Sequence, residues 1–306
     1  MRTPRAKGEG RTCYHVMSRI VDRVMRLGPA EKDRFTDLMR ACGAFCGVRL
    51  HTHAIMDNHF HILVEADGDQ EIPEEEVVRR MRALYPEAEV EARTERWRQW
   101  RAEGLGRLAE ADLAALRARM GDVSAFMKTL KQRFSQWYNR ENDRRGTLWE
   151  DRFKSVLVEN GRALQIIRAY IEHNPVRAGI VSRPEDYRWC GRWRAKAEPS
   201  VAPETFTLDL EAVIRSLEGG EKLDHDALML CRVRYFSDGL AFGSREFVDG
   251  VYRRNRPLFG HTRQDGARPM RRAALEGLFI ARNLRKDAVI ASPVLEAAAA
   301  GPPATG

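Results

Sequence analysis

The stretch VRLHTHAIMDNHFHILVE, residues 48–65, contains two alternating arms separated by a turn pair. Val48, Leu50, Thr52, Ala54 and Met56 recur at every second position, so they share one face of an extended strand. Asp57-Asn58 supplies turn chemistry, because both side chains bond readily to nearby backbone. His59 to Glu65 then alternates again, and the whole stretch reads as a β-hairpin. In the second arm His59 and His61 point to one side and Phe60 to the other. Strand geometry puts the two imidazoles roughly 7 Å apart, close enough to share one divalent cation. His51-Thr52-His53 repeats the spacing on the first arm, so spacing alone does not choose between the pairs. Context favours His59 and His61, which follow the turn and sit in the apolar run HFHILVE.

Further elements extend outward from the hairpin. Residues 12–21, TCYHVMSRIV, alternate and predict a first strand. Phe35, Leu38, Met39, Cys42 and Phe45 have helical spacing within 30–47. Residues 68–120 are dense in Glu, Arg and Ala and read as charged helices, broken near Tyr85-Pro86 and near Gly104-Leu105-Gly106. Residues 123–142 form an amphipathic helix with Phe126, Leu130, Phe134, Trp137 and Tyr138 on its apolar stripe and Ser124 as the expected N-cap. An extended stretch follows through TLWEDRFKSVLVE, residues 147–159. Leu164, Ile167, Tyr170 and Ile171 predict a helix that ends before Pro175, because proline disfavours the helical conformation of its predecessor.

The chain has 306 residues, 52 Lys+Arg and 44 Asp+Glu, a net charge of +8. No apolar run approaches the length of a membrane span, and the basic N-terminus has no apolar segment behind it, so a soluble cytoplasmic protein is expected. Residues 66–122 hold 10 Lys/Arg against 14 Asp/Glu, so the remainder is more basic than the whole. A basic body suits a polyanionic partner, although an Arg-rich composition also follows from genome bias. Five cysteines without a paired CxxC spacing suit reduced thiols.

Tyr170 and Asn174 are i and i+4 on one helix face. A phenol beside a Lewis acid can attack a phosphodiester. The residues alone leave a second reading open, in which Tyr170 packs in a core and Asn174 caps the helix end.

Three segments together resemble the REP-associated tyrosine transposases, relatives of the single-tyrosine HUH transposases. They are HAIMDNHFHILVE (53–65), KQRFSQWYNRENDRRGTLWEDRFKSVLVE (131–159) and YIEHNPVRAGIVSRPEDYRW (170–189). The resemblance covers about residues 12–194, with 66–122 as an acidic insertion. It implies an α+β fold, a ferredoxin-like antiparallel sheet with packed helices. It also implies metal-dependent cleavage and rejoining of single-stranded DNA, often near hairpin-forming palindromes, through a covalent 5′-phosphotyrosine. By the same resemblance, Tyr170 is the nucleophile and His59, His61 and Asn174 hold Mg²⁺ or Mn²⁺. The Pro-Asn usual before the first histidine is Asp57-Asn58 here, which alters a turn and adds a carboxylate. No general base is evident. A DNA-binding regulator without turnover and a hydrolase that activates water at the histidines remain alternatives.

Arg144, Arg145, Arg152 and Lys154 are expected phosphate contacts, and Trp149 either stacks on a base or is buried. Tyr138 is a rival nucleophile that the apolar stripe assigns to packing. Residues 195–206 read as a linker and 207–290 as a mainly helical C-terminal region. That region has helices near 208–218, 223–236 and 244–254, with Arg253 and Arg254 facing DNA. Residues 275–290 read as an extended wing or a last helix, and 291–306 as a disordered tail. The partner is single-stranded or hairpin DNA, and the protein is a monomer or homodimer associated with the nucleoid.

Overall fold

The computed structural model describes residues 6–197, 234–259, 263–270 and 275–282. The expected helices near 208–218 and most of 223–236 lie outside these residues, as does the tail. Strand β1 (Arg11–Arg19) pairs antiparallel with β3 (His59–Asp67), and β3 with β2 (Arg49–Ile55). On the other side of β1 lies β4 (Lys154–Val158), again antiparallel. This four-stranded sheet is continued by β5 (Gly239–Gly243), β6 (Arg268–Pro269) and β7 (Phe279–Arg282). The order is β2-β3-β1-β4-β5-β7-β6, antiparallel throughout except between β4 and β5.

Alternation along the strands feeds two cores. Tyr14, Val16, Phe60, Ile62, Val64 and Leu157 face one side. Helix α1 (Pro29–Cys46) and helix α5 (Val123–Glu141) cover that side through Phe35, Phe45, Phe126 and Phe134. Proline at the first position of α1 loses no hydrogen bond, and Gly47 ends the helix at φ 60, which glycine adopts without steric cost. Asp122, not Ser124, caps α5, because its carboxylate accepts from the Ala125 N–H at 2.8 Å. Cys13, Leu63, Val156 and Val158 face the opposite side, under helix α6 (Arg162–Glu172). Every residue of α6 after Arg162 is buried, including an Arg168–Glu172 ion pair at 3.0 Å.

The acidic stretch folds as α2 (Glu74–Arg82), α3 (Glu87–Ala102) and α4 (Gly106–Arg117), with breaks where the sequence places them. Val77, Met81, Val90, Trp97 and Leu113 join the core on the α1 side, so these helices are packed and not loosely appended. Beyond α6 come the single turn α7 (Asn174–Arg177) and α8 (Gly191–Ala197), so helix persists into the first residues of the expected linker. The described C-terminal elements are α9 (Arg234–Ser237), β5, α10 (Arg245–Arg254), β6 and β7. Of the expected C-terminal helices, the one near 244–254 is present as α10, while Gly239–Gly243 just before it forms a strand of the main sheet. Leu157 and Val158 of β4 pair with Ala241 and Phe242, which covers an edge that would otherwise expose unpaired backbone. Among the described residues no helix is long and apolar enough to cross a membrane.

Candidate active site

The register of β1 on β3 sets Arg19 opposite His59 and Met17 opposite His61. Alternation then puts Cys13, His15, Met17 and Arg19 on the sheet face that also carries His59 and His61. Helix α6 lays Tyr170 onto this face. The phenol ring meets His15 edge-on at 6.0 Å between centroids and His61 at 5.8 Å. The rings of His59 and His61 are 5.2 Å apart.

Hydrogen bonds fix the tautomers of these histidines. The Phe236 carbonyl lies 2.7 Å from His15 Nδ1 and can only accept, so His15 donates from Nδ1. Burial pushes the His15 pKa down to about 4, which leaves the ring neutral and its Nε2 bare. His15 Nε2 stands 2.9 Å from His61 Nδ1, so His61 donates there and keeps its own Nε2 lone pair free. His59 reaches the same state by another route. Asn58 donates its Nδ2 to the Arg23 carbonyl at 2.9 Å, and its Oδ1 accepts from His59 Nδ1 at 2.7 Å. Burial, with Arg19 nearby, lowers the His59 pKa to about 4, and burial holds His61 well below the ordinary value. Two neutral imidazoles thus present unengaged Nε2 atoms, the form that ligates metals.

Tyr170 is 2 % exposed, and its hydroxyl is buried without a hydrogen-bond partner. Burial raises its pKa to about 12, while Arg177, the neighbouring Asn174 side chain and Arg19 pull in the opposite direction. The Phe236 ring closes over it at 4.5 Å. Asn174 donates its Nδ2 to the Tyr170 carbonyl at 2.9 Å and to that of Ile171 at 3.4 Å, leaving its carbonyl oxygen as the atom available to an ion. Two neutral imidazoles, an amide oxygen and a phenol are groups of the chemical kind that a divalent ion and a phosphate oxygen accept as partners. A buried hydroxyl without a partner costs roughly 1–3 kcal/mol, which a ligand would relieve.

The other histidine pair is split. A bulge between Leu50 and Thr52 makes His51 the extra residue of β2. His53 pairs with Ile62, whose side chain belongs to the α1 side, whereas His51 contacts Cys13 on the α6 side.

The expected DNA contacts scatter. Trp149 is buried among Phe35, Phe60 and Phe134, and its Nε1 donates to Ser135 Oγ at 2.8 Å. It is a core residue on the far side of the sheet and offers no face to a base. Tyr138 packs beside Phe134 in the same core. Arg144 braces its own loop through Asn139 Oδ1 and the Thr147 carbonyl, while Arg145 and Arg152 are exposed. Lys154 pairs with Met17 across the strands, beside the histidines, and its ammonium meets the Asp238 carboxylate. Arg253 and Arg254 end α10, whose Val248 and Val251 lie in the α1-side core, so they sit away from Tyr170. The Asp57 carboxylate binds Lys32.

Sequence reading missed His15, Arg19 and Phe236. The alternation of 12–21 already placed His15 and Arg19 on one face, but only the β1–β3 register brings that face to the histidines. Nothing local marks Phe236, whose role comes from a contact 221 residues away in sequence.

Residues 116–174 match the family of IS200-like transposases. The matched segment runs from the end of α4 through Tyr170 to Asn174. A solved structure of a REP-associated tyrosine transposase bound to a REP hairpin is similar at a TM-score of 0.42 and 13% identity, covering 69% of this chain and 93% of that one. No curated protein matches the chain.

Proposed function

We propose that the protein cleaves and rejoins single-stranded DNA at hairpin-forming repeats, with Tyr170 as nucleophile. The observation that carries this reading is the convergence of Tyr170 with His59 and His61, the histidines with bare Nε2 atoms, inside a chain whose segment 116–174 is transposase-like. His59, His61 and the Asn174 carbonyl would hold Mg²⁺ or Mn²⁺. Such an ion supplies Lewis-acid polarisation of the scissile phosphate.

Tyr170 Oη would attack phosphorus in line, forming a 5′-phosphotyrosine and releasing a 3′-hydroxyl. Reversal of the step would rejoin the strand. Arg19 and Arg177 favour the phenolate that burial opposes, and so oppose the rise in pKa. Lys154, on the same sheet face, would contact backbone phosphate. Phe236 packs against the phenol at 4.5 Å between ring centroids, so a strand reaching Tyr170 would have to displace the Phe236 ring.

Incubation with a labelled hairpin oligonucleotide and Mn²⁺ should yield a denaturation-resistant adduct that maps to Tyr170. Tyr170→Phe should abolish it, a loss of at least about 10³-fold for a missing nucleophile. Strand cleavage that persists in Tyr170→Phe would favour water as the nucleophile and end the assignment. A folded wild-type chain that binds the hairpin without any cleavage would favour a regulator.

A further inference from the structure

Away from Tyr170 the same sheet face carries a second group of donor atoms, contributed by three neighbouring strands. Cys13 is on β1, His51 on β2 and Glu65 on β3. Cys13 Sγ lies 3.9 Å from His51 Nε2 and 3.9 Å from Glu65 Oε2, and His51 Nε2 lies 3.2 Å from Glu65 Oε2. A tetrahedral zinc with one sulfur, one nitrogen and one oxygen ligand has ligand-to-ligand edges of roughly 3.3–3.6 Å. The three atoms therefore surround a point at bonding distance without a change of fold. We propose that Cys13, His51 and Glu65 form a metal site for one zinc-class ion, independent of His59 and His61.

Three further observations support it. The bulge between Leu50 and Thr52 delivers His51 to this face, on the side opposite to His53. Glu65 is held from behind, with Oε1 beside Arg11 Nε at 3.4 Å and Arg49 at 3.7 Å, so Oε2 is left aimed at Cys13 and His51. Outer contacts of this kind orient metal-ligating carboxylates. Asn160, on the loop after β4, accepts the Cys13 S–H with its Oδ1 at 3.2 Å, which puts a neutral oxygen next to the sulfur. The sulfur selects a borderline-soft ion over Mg²⁺, which prefers an all-oxygen shell. The site is also separate from the histidines above. Cys13 is two strand positions from His15 and Glu65 is four from His61, roughly 7 Å and 13 Å along the strands. On binding, the Cys13 S–H bond is replaced by a sulfur–metal bond and the proton leaves to solvent. With one thiolate, one carboxylate and a neutral imidazole, the ion's two charges are balanced. The bound ion would tie β1, β2 and β3 together at the bulge.

The test is a cobalt titration of the full chain carrying His59→Ala and His61→Ala, which removes the other imidazole pair. A near-ultraviolet thiolate-to-cobalt band saturating at one ion per chain, and displaced by Zn²⁺, is expected. Adding Cys13→Ser should abolish the band. Adding His51→Gln instead should keep the band at saturation and weaken cobalt binding by about tenfold or more. If Cys13→Ser does not fold, the affinity change in His51→Gln decides. Absence of the band in the double variant, its survival in folded Cys13→Ser, or an unchanged affinity in His51→Gln would overturn the site.

Discussion

Two His-x-His pairs, eight residues apart on adjacent antiparallel strands, have opposite fates. His59 and His61 follow the turn on an unbroken strand, stay on one face and lie with rings 5.2 Å apart. His51 and His53 straddle a bulge and end on different faces. The comparison teaches that a period-two motif specifies a shared face only while the ladder is regular. One extra residue re-aims everything on its far side. The intact pair is also the one with acceptors behind it, Asn58 for His59 and His15 for His61.

The largest expected effect tests that contrast directly. His59→Ala or His61→Ala should lower hairpin cleavage by about 10²–10³-fold while gel-shift affinity stays within a few-fold, because affinity rests mainly on phosphate contacts. His53→Ala should leave cleavage within a few-fold. Comparable losses from both pairs would mean that the bulge does not separate them.

The next effect is a step removed from the ion. His15→Ala takes away the acceptor that fixes His61, and should weaken Mn²⁺ binding by about 10–100-fold in a calorimetric titration. His15→Gln, whose amide oxygen can accept from His61 Nδ1, should recover part of it. Equal Mn²⁺ affinity in wild type and His15→Ala would remove His15 from the site.

Acid stability sharpens the comparison for the pair member that has no part in the proposed chemistry. Burial lowers the His53 pKa from 6.5 to about 4. The folded state thus binds fewer protons than the unfolded state at intermediate pH. The stability due to neutral His53 is fully present above pH 6.5 and is lost as pH falls towards 4. Each such group contributes a slope of up to about 1.4 kcal/mol per pH unit in that window. Denaturant melts from pH 7 to pH 4.5 should show a shallower loss for His53→Asn than for wild type, with cleavage at pH 7 retained. An unchanged slope would place His53 in contact with solvent.

The smallest effect separates the two sheet faces. Lys154→Ala should weaken hairpin binding a few-fold and reduce the salt slope by about 1. Arg253→Ala and Arg254→Ala, at the end of α10 on the other side, should change neither. A larger salt effect from the α10 arginines than from Lys154 would put the DNA on the opposite face.

Much of the framework was legible in the sequence because it rests on local periodicity. Alternation marked β1, β2 and β3, and apolar spacing marked α1, α5 and α6 within a residue or two. The breaks among α2, α3 and α4 were visible as Pro86 and the 104–106 glycines. Trp149 was ambiguous because a tryptophan in an extended stretch suits stacking and burial equally; its cluster with Phe35, Phe60 and Phe134 resolved it. Among the C-terminal strands β5 was missed and β7 was read only as part of an extended wing or a last helix, for a similar reason. GLAFG and FIAR are too short to carry a period; GLAFG is a strand on the edge that β4 offers, and FIAR pairs in turn with GLAFG.

By itself, the sequence determined which residues can share a face: His59 with His61, Tyr170 with Asn174, His15 with Arg19. Covalent spacing and backbone geometry suffice for that, since each pair lies within one element. Only the tertiary structure decided which faces meet. The antiparallel register brought His15 to His61, the bulge parted His51 from His53 and brought His51 to Cys13 and Glu65, and the sheet's C-terminal extension set the Phe236 carbonyl behind His15. These contacts join residues far apart in the chain. Their geometry follows from packing the whole sheet between two helical layers, which no local window of sequence contains.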